Sequence, residues 1–93
     1  MTRPLAITLL TQHVCAFCDH AKGILDRVGT EFPLRVTEVD LSTEDGQRVA
    51  IQAGMLFAPG VFVEGRPLSY GRLSERKLRR TLEKHLRERP ARS

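Results

Sequence analysis

Val14-Cys15-Ala16-Phe17-Cys18-Asp19 holds both cysteines of this 93-residue chain, with two residues between them. On its N-terminal side lies an apolar run, residues 5–10, that alternates like a strand. On its C-terminal side, residues 19–28 carry apolar side chains at helical spacing. The pair therefore sits at the mouth of a strand-to-helix turn, with Cys15 at the helix N-terminus and Cys18 about one turn further in. Two thiols so placed can close into a disulfide and reopen, which makes the stretch a place to exchange electron pairs. A structural staple is the weaker reading. The loop they close is tiny and restrains the unfolded chain less than a long one does, and a chain of this length folds without staples.

Outward from the cysteines the pattern is regular. Leu5, Ile7 and Leu9 alternate with Ala6, Thr8 and Leu10, so both faces are largely apolar and a central strand buried on both sides is expected. Ala21, Leu25 and Val28 recur at helical spacing beside Ile24, and Gly29 is a natural stop. Residues 34–41 form a second strand rich in Val and Thr. Ser42 or Thr43 can cap a helix whose first turn carries Glu44 and Asp45, and which runs to about Ala53 before Gly54. Residues 61–63 are a third strand, Glu64-Gly65-Arg66 a tight turn, and residues 67–70 a short fourth strand. Ser74 then caps a last helix with Leu78, Leu82 and Leu86 on one face. The order β-α-β-α-β-β-α is a right-handed βαβ unit followed by a hairpin and a helix. The expected class is α/β, a four-stranded mixed sheet with helices on both faces, forming one domain over residues 1–89 with a frayed tail at 90–93.

Composition narrows the function classes. An apolar fraction of 41% and a charged fraction of 28% are those of an ordinary globular domain. Much of the +4 net charge lies in the last helix and tail, from Arg76 to Arg92, with Glu75, Glu83 and Glu88 interleaved. This reads as a solvated helix face. It has no aromatic residue to stack on bases, so no nucleic-acid partner is expected. The run at residues 5–10 is too short for a signal peptide, and Gln12 and His13 follow it closely. No stretch approaches the roughly 20 apolar residues of a membrane span. A monomer in the cytoplasm is expected, where a reducing milieu asks a dithiol to act rather than brace.

Three segments, together with the element order, resemble the thioredoxin superfamily in its small glutaredoxin-like or thioredoxin-like form. Cys15-Ala16-Phe17-Cys18 follows a strand and opens a helix. Ala53-Gly54-Met55-Leu56-Phe57-Ala58-Pro59 precedes a strand and looks like the family's loop ending in a cis-proline opposite the dithiol. Gly71-Arg72-Leu73-Ser74-Glu75-Arg76-Lys77-Leu78 is similar to the entry to the final helix of thioredoxins. The resemblance implies a thiol–disulfide oxidoreductase that reduces protein or glutathione-mixed disulfides, with Cys15 and Cys18 as catalytic residues. It implies no resident cofactor, and glutathione or a thioredoxin reductase as the electron source. It makes Phe17, Ala58, Pro59 and Gly71 substrate-contacting residues, with Pro59 cis and the Ala58 backbone free to pair with an extended substrate strand.

The departures from the family are specific. Ala16 stands where glutaredoxins usually have Pro, and the chain has no Trp. Leu9 replaces thioredoxin's buried acid, and Gln12 and His13 occupy the region of the glutaredoxin lysine. Tyr70-Gly71-Arg72-Leu73 keeps one glycine and no acid of the glutathione-binding stretch. Protein disulfides are therefore favoured as targets.

The chemistry needs a thiolate, and an ordinary cysteine with pKa about 8.5 is mostly protonated at neutral pH. Unpaired N–H groups and the positive dipole end of a helix N-terminus stabilise the anion of Cys15. His13 can tune that thiolate as an imidazolium or stand as an exposed loop residue. His20 and Lys22 read as surface residues, and His85 carries no functional reading. Phe17 can form an apolar rim or pack into the core. Two alternatives stay open. One is a soft-metal (Zn or Cu) module using Cys15, Cys18 and His13 or His20, though a structural zinc site asks for four ligands. The other is a non-catalytic binding module in which the cysteines are incidental.

Overall fold

A computed structural model of the chain describes residues 3–13, 15–55 and 58–88. Val14, the loop residues Leu56 and Phe57, residue 89 and the tail expected at 90–93 lie outside the described residues. The elements follow the expected order: β1 (Leu5–Thr11), α1 (Ala16–Val28), β2 (Leu34–Asp40), α2 (Glu44–Ala53), β3 (Gly60–Val63), β4 (Arg66–Tyr70) and α3 (Glu75–Glu88). Helix α1 begins at Ala16, ahead of the apolar run at 19–28, with Cys15 at its N-terminus as expected and serving as its N-cap.

The four strands lie in the order β2-β1-β3-β4. β1 and β2 run parallel, from Leu5 opposite Leu34 to Thr11 opposite Asp40. β3 returns antiparallel beside β1, with Leu10 opposite Gly60. β4 is antiparallel to β3, with an irregularity between Val61 and Phe62. Pro67 is tolerated in β4 because that strand is an edge.

The strand period of two sorts side chains onto two faces. Leu5, Ile7 and Leu9 join Val61 and Val63 beneath α1 and α3, where Leu25, Val28, Leu78 and Leu82 complete the larger core cluster. Leu10 and Phe62 point the other way and meet Leu41, Ala50 and Met55 around α2. The expectation of a strand buried on both sides holds for only one of them. Ala6 is exposed and Thr8 half-buried, because the α2 face is covered by a single ten-residue helix whose cluster reaches Leu10.

Local chemistry sets the helix ends. Thr43, not Ser42, caps α2: its Oγ1 accepts from the Gly46 N–H at 3.0 Å. Ser42 instead donates its hydroxyl and its N–H to Asp40 Oδ1, at 2.7 and 2.8 Å. Gly54 ends α2 in the left-handed region at φ 70°, where a side chain is disfavoured. Ser74 Oγ accepts from the Lys77 N–H at 3.2 Å and caps α3. On the outer side of α3, Arg76, Lys77, Arg80, Lys84 and Arg87 form the solvated face that the charge pattern described, all five exposed. Among the described residues no helix is long and apolar enough to cross a membrane.

Candidate functional site

The topology brings four chain segments to one edge of the sheet. The parallel strands β1 and β2 end there, β3 begins there and β4 ends there. In open α/β sheets this carboxyl end of the parallel strands is where ligands are met. Beyond Thr11 the chain passes through Gln12 and His13 to Cys15. Leu10 pairs with Gly60, so Ala58 and Pro59 lie across from that segment. Tyr70 pairs with Gly60, and the Gly71 N–H donates to the Pro59 carbonyl at 2.7 Å. The segments that carry Cys15, Pro59 and Gly71, far apart in sequence, thus leave the sheet at the same edge.

Cys15 and Cys18 are joined in a disulfide, with 5.2 Å between their Cα atoms. Cys15 is extended, at φ −159° and ψ 98°, while the chain turns helical at Ala16. Its Sγ accepts from the Cys18 N–H at 3.2 Å, so a sulfur occupies the place usually filled by a capping oxygen. The two sulfurs are not equivalent. Cys15 is half-buried, whereas Cys18 is 3% exposed beneath it. An attacking group can reach only one of them readily, and the Cys18 N–H of the first helical turn points at that one.

Between the two cysteines, Phe17 is 50% exposed and is not part of the core. The Ala58–Pro59 peptide is cis. The Pro59 side chain is fully buried and Ala58 is nearly so. Gly71 has φ 87°, a conformation that requires its lack of a side chain. The Ala58 N–H is engaged within the chain itself, donating to Gln12 Oε1 at 3.3 Å. Gln12 was legible only as the residue standing in the glutaredoxin lysine's region. The antiparallel register of β1 and β3, which sets Gln12 opposite Ala58, has no local signal in the sequence.

Asp40, at the end of β2, also belongs to this edge. Its carboxyl is held below the usual carboxylate range, first by the Ser42 hydroxyl, then by the Ser42 N–H, with a further contribution from the charge of His13. His13 therefore lies within electrostatic reach of Asp40. Lys22 pairs with Glu38 at 3.3 Å across the surface, and His20 is exposed. Among the described residues no group of three or more His, Cys, Asp or Glu side chains comes together in a way that could hold a metal ion.

No protein-family model matches the chain, and neither does any curated protein sequence. Solved structures do. A mutant thioredoxin from Halobacterium salinarum is 16% identical, with TM-score 0.69 over 95% of this chain and 80% of that one. Thioredoxin f2 from Chlamydomonas reinhardtii is 15% identical, with TM-score 0.65 over 91% of this chain and 82% of that one. A Staphylococcus aureus protein of unknown function is 17% identical, with TM-score 0.63 over 94% and 95% of the two chains. The four-stranded mixed sheet with helices on both faces is a thioredoxin-like fold.

Proposed function

We propose that this chain is a dithiol–disulfide oxidoreductase that reduces disulfides of other proteins through Cys15 and Cys18. The observation that carries the reading is the unequal disulfide at the start of α1, half-buried at Cys15 and buried at Cys18. In the reduced protein the Cys15 thiolate attacks one sulfur of the target disulfide. A bond forms between Cys15 and that sulfur, and the target's other sulfur leaves as a thiolate and takes up a proton. Cys18 then loses its proton and attacks the Cys15 sulfur. The internal disulfide forms, the second target sulfur leaves and is protonated, and two electrons have passed from the pair to the target. Helix-terminal N–H groups favour the Cys15 anion in the first step. Burial of Cys18 keeps the resolving thiol from competing for target.

The cycle closes when a thiol donor reduces the Cys15–Cys18 bond. Glutathione and a flavoprotein reductase are the two donor classes. The Gly71-Arg72-Leu73 turn, without an acid, favours the second. The strand register that turns the Ala58–Pro59 and Gly71 segments toward the sheet edge where β1 ends, and the exposure of Phe17, support a role for these residues in receiving the target chain.

Trapping tests the reading. Reduced Cys18→Ser protein mixed with a disulfide-bonded protein should stop at a covalent adduct through Cys15, visible by mass. Cys15→Ser should form no adduct and reduce nothing. Equal turnover by wild type and Cys15→Ser would sink the proposal.

A further inference from the structure

We infer that the outer face of α3 is a docking surface for an acidic protein, the partner whose disulfide the dithiol serves. This rests on the dithiol-exchange reading above and names the kind of protein it acts on.

Helix α3 divides its charges. On its inner side Glu75 and Arg79 are occupied in pairs with Arg27, Glu31 and each other. On its outer side Arg76, Lys77, Arg80, Lys84 and Arg87 are exposed, and among the described residues none of them meets a carboxylate. Around the helix these five fall within an arc of about 100°, along about 17 Å, opposite the buried Leu78 and Leu82. Glu83 and Glu88, the exposed acids of the helix, lie at the two margins of that arc. Five cations against two carboxylates leave an excess of three positive charges on one face.

Such a face attracts an anionic surface, and its chemistry selects among them. The leucines of α3 are packed in the core, so the helix has no apolar side to insert into a lipid bilayer. No aromatic residue lies between positions 75 and 88 to stack on a base. What remains is recognition by charge, which steers complementary protein surfaces together. The turn that leads into α3 is tied to the sheet edge where β1 ends, since the Gly71 N–H bonds the Pro59 carbonyl there. A protein docked at that edge covers about 800 Å² of its partner, enough to reach over α3. A small disulfide is not.

The test uses the full reduced chain as wild type and as two triple variants. One is Arg80→Gln, Lys84→Gln and Arg87→Gln, on the arc. The other is Arg35→Gln, Arg48→Gln and Arg66→Gln, exposed cations outside α3. Each variant lowers the net charge of +4 by three. The probes are two synthetic peptides, each dimerised through a single cysteine. One carries a run of glutamates and the other a run of glutamines, starting about ten residues, or about 33 Å of extended chain, from the cysteine. In low salt, wild type should show a kcat/KM about tenfold higher for the glutamate peptide, a preference that fades in high salt. The arc variant should lose most of that preference and keep its rate on the glutamine peptide. The off-helix variant should keep both. All six substituted side chains are exposed, so the wild-type thermal transition should persist. Equal rates on the two peptides in wild type, or equal loss of preference in both variants, overturn the inference while dithiol exchange stands. Wild type that pellets with anionic vesicles or shifts duplex DNA, without preferring the glutamate peptide, gives the face to another polyanion and overturns it too. Wild type that reduces neither peptide overturns the exchange reading, and this one with it.

Discussion

At the scale of single residues, two glycines separate packing from propensity. Gly46 receives the Thr43 cap at the start of α2. A Cβ there would run into the Asp40 carbonyl oxygen and come within 2.8 Å of Leu41 Cα. Both are backbone, so the helix itself must move. Gly23, in the middle of α1, has nothing within 4 Å of an added Cβ. Gly46→Ala should therefore lower stability by about 1–3 kcal/mol through overpacking, despite alanine's better helix propensity. Gly23→Ala should raise it by about 0.5–1 kcal/mol. Urea melts of the two variants check both signs, and a stabilised Gly46→Ala would contradict the packing argument. Neither contrast is readable from sequence, where both are glycines inside helical patterns. The chemistry-bearing residues are different: Cys15 and Cys18 declare themselves by type and spacing. Gln12 does not, because its partner Ala58 lies across a strand pairing.

At the scale of elements, α1 and α3 are clasped by an ionic bracket. Arg79 meets Glu31 at 2.6 Å and Glu75 at 3.0 Å, and Arg27 meets Glu75 at 2.6 Å. The Arg79 guanidinium holds the Glu31 carboxyl below its ordinary value of 4.5, and Arg27 and then Arg79 do the same for Glu75. With folded values lowered, the unfolded chain takes up protons first as the solution is acidified. The bracket's stabilisation is thus complete above the ordinary carboxylate value and is lost as pH falls from there through the lowered folded values. Arg79→Met should flatten the acid limb of Tm against pH in low salt. High salt should mimic part of that loss, since these are surface pairs. An acid limb identical to wild type would remove the bracket from the account. Helix stops and caps were legible at this scale because they are local: Gly29 and Gly54 follow the last turns and Ser74 precedes α3. The start of α1 was legible from the cysteine pair, which sits at the helix N-terminus, but not the cap itself, since cysteine is not among the usual capping residues. The exposed Ala6 was missed because helix coverage of a sheet face depends on where α2 docks.

At the scale of the whole molecule, the fold carries the cysteine pair to one sheet edge, where segments from distant parts of the chain also end. The element order and the Cys-x-x-Cys to proline spacing made this architecture legible despite identities of 15–17% to the solved structures it is similar to. The occupied Ala58 N–H was not legible, because it follows from the register between β1 and β3. The central claim is that Cys15 and Cys18 cycle between dithiol and disulfide at a biologically useful potential. It is tested most directly by equilibrating the protein in thiol–disulfide buffers of graded potential and counting trapped free thiols by mass. The account predicts a single two-electron transition with a midpoint between about −200 and −270 mV, the glutaredoxin-to-thioredoxin span. A pair that stays reduced across the whole series, or that purifies holding a metal ion and closes only when stripped of it, would contradict the account.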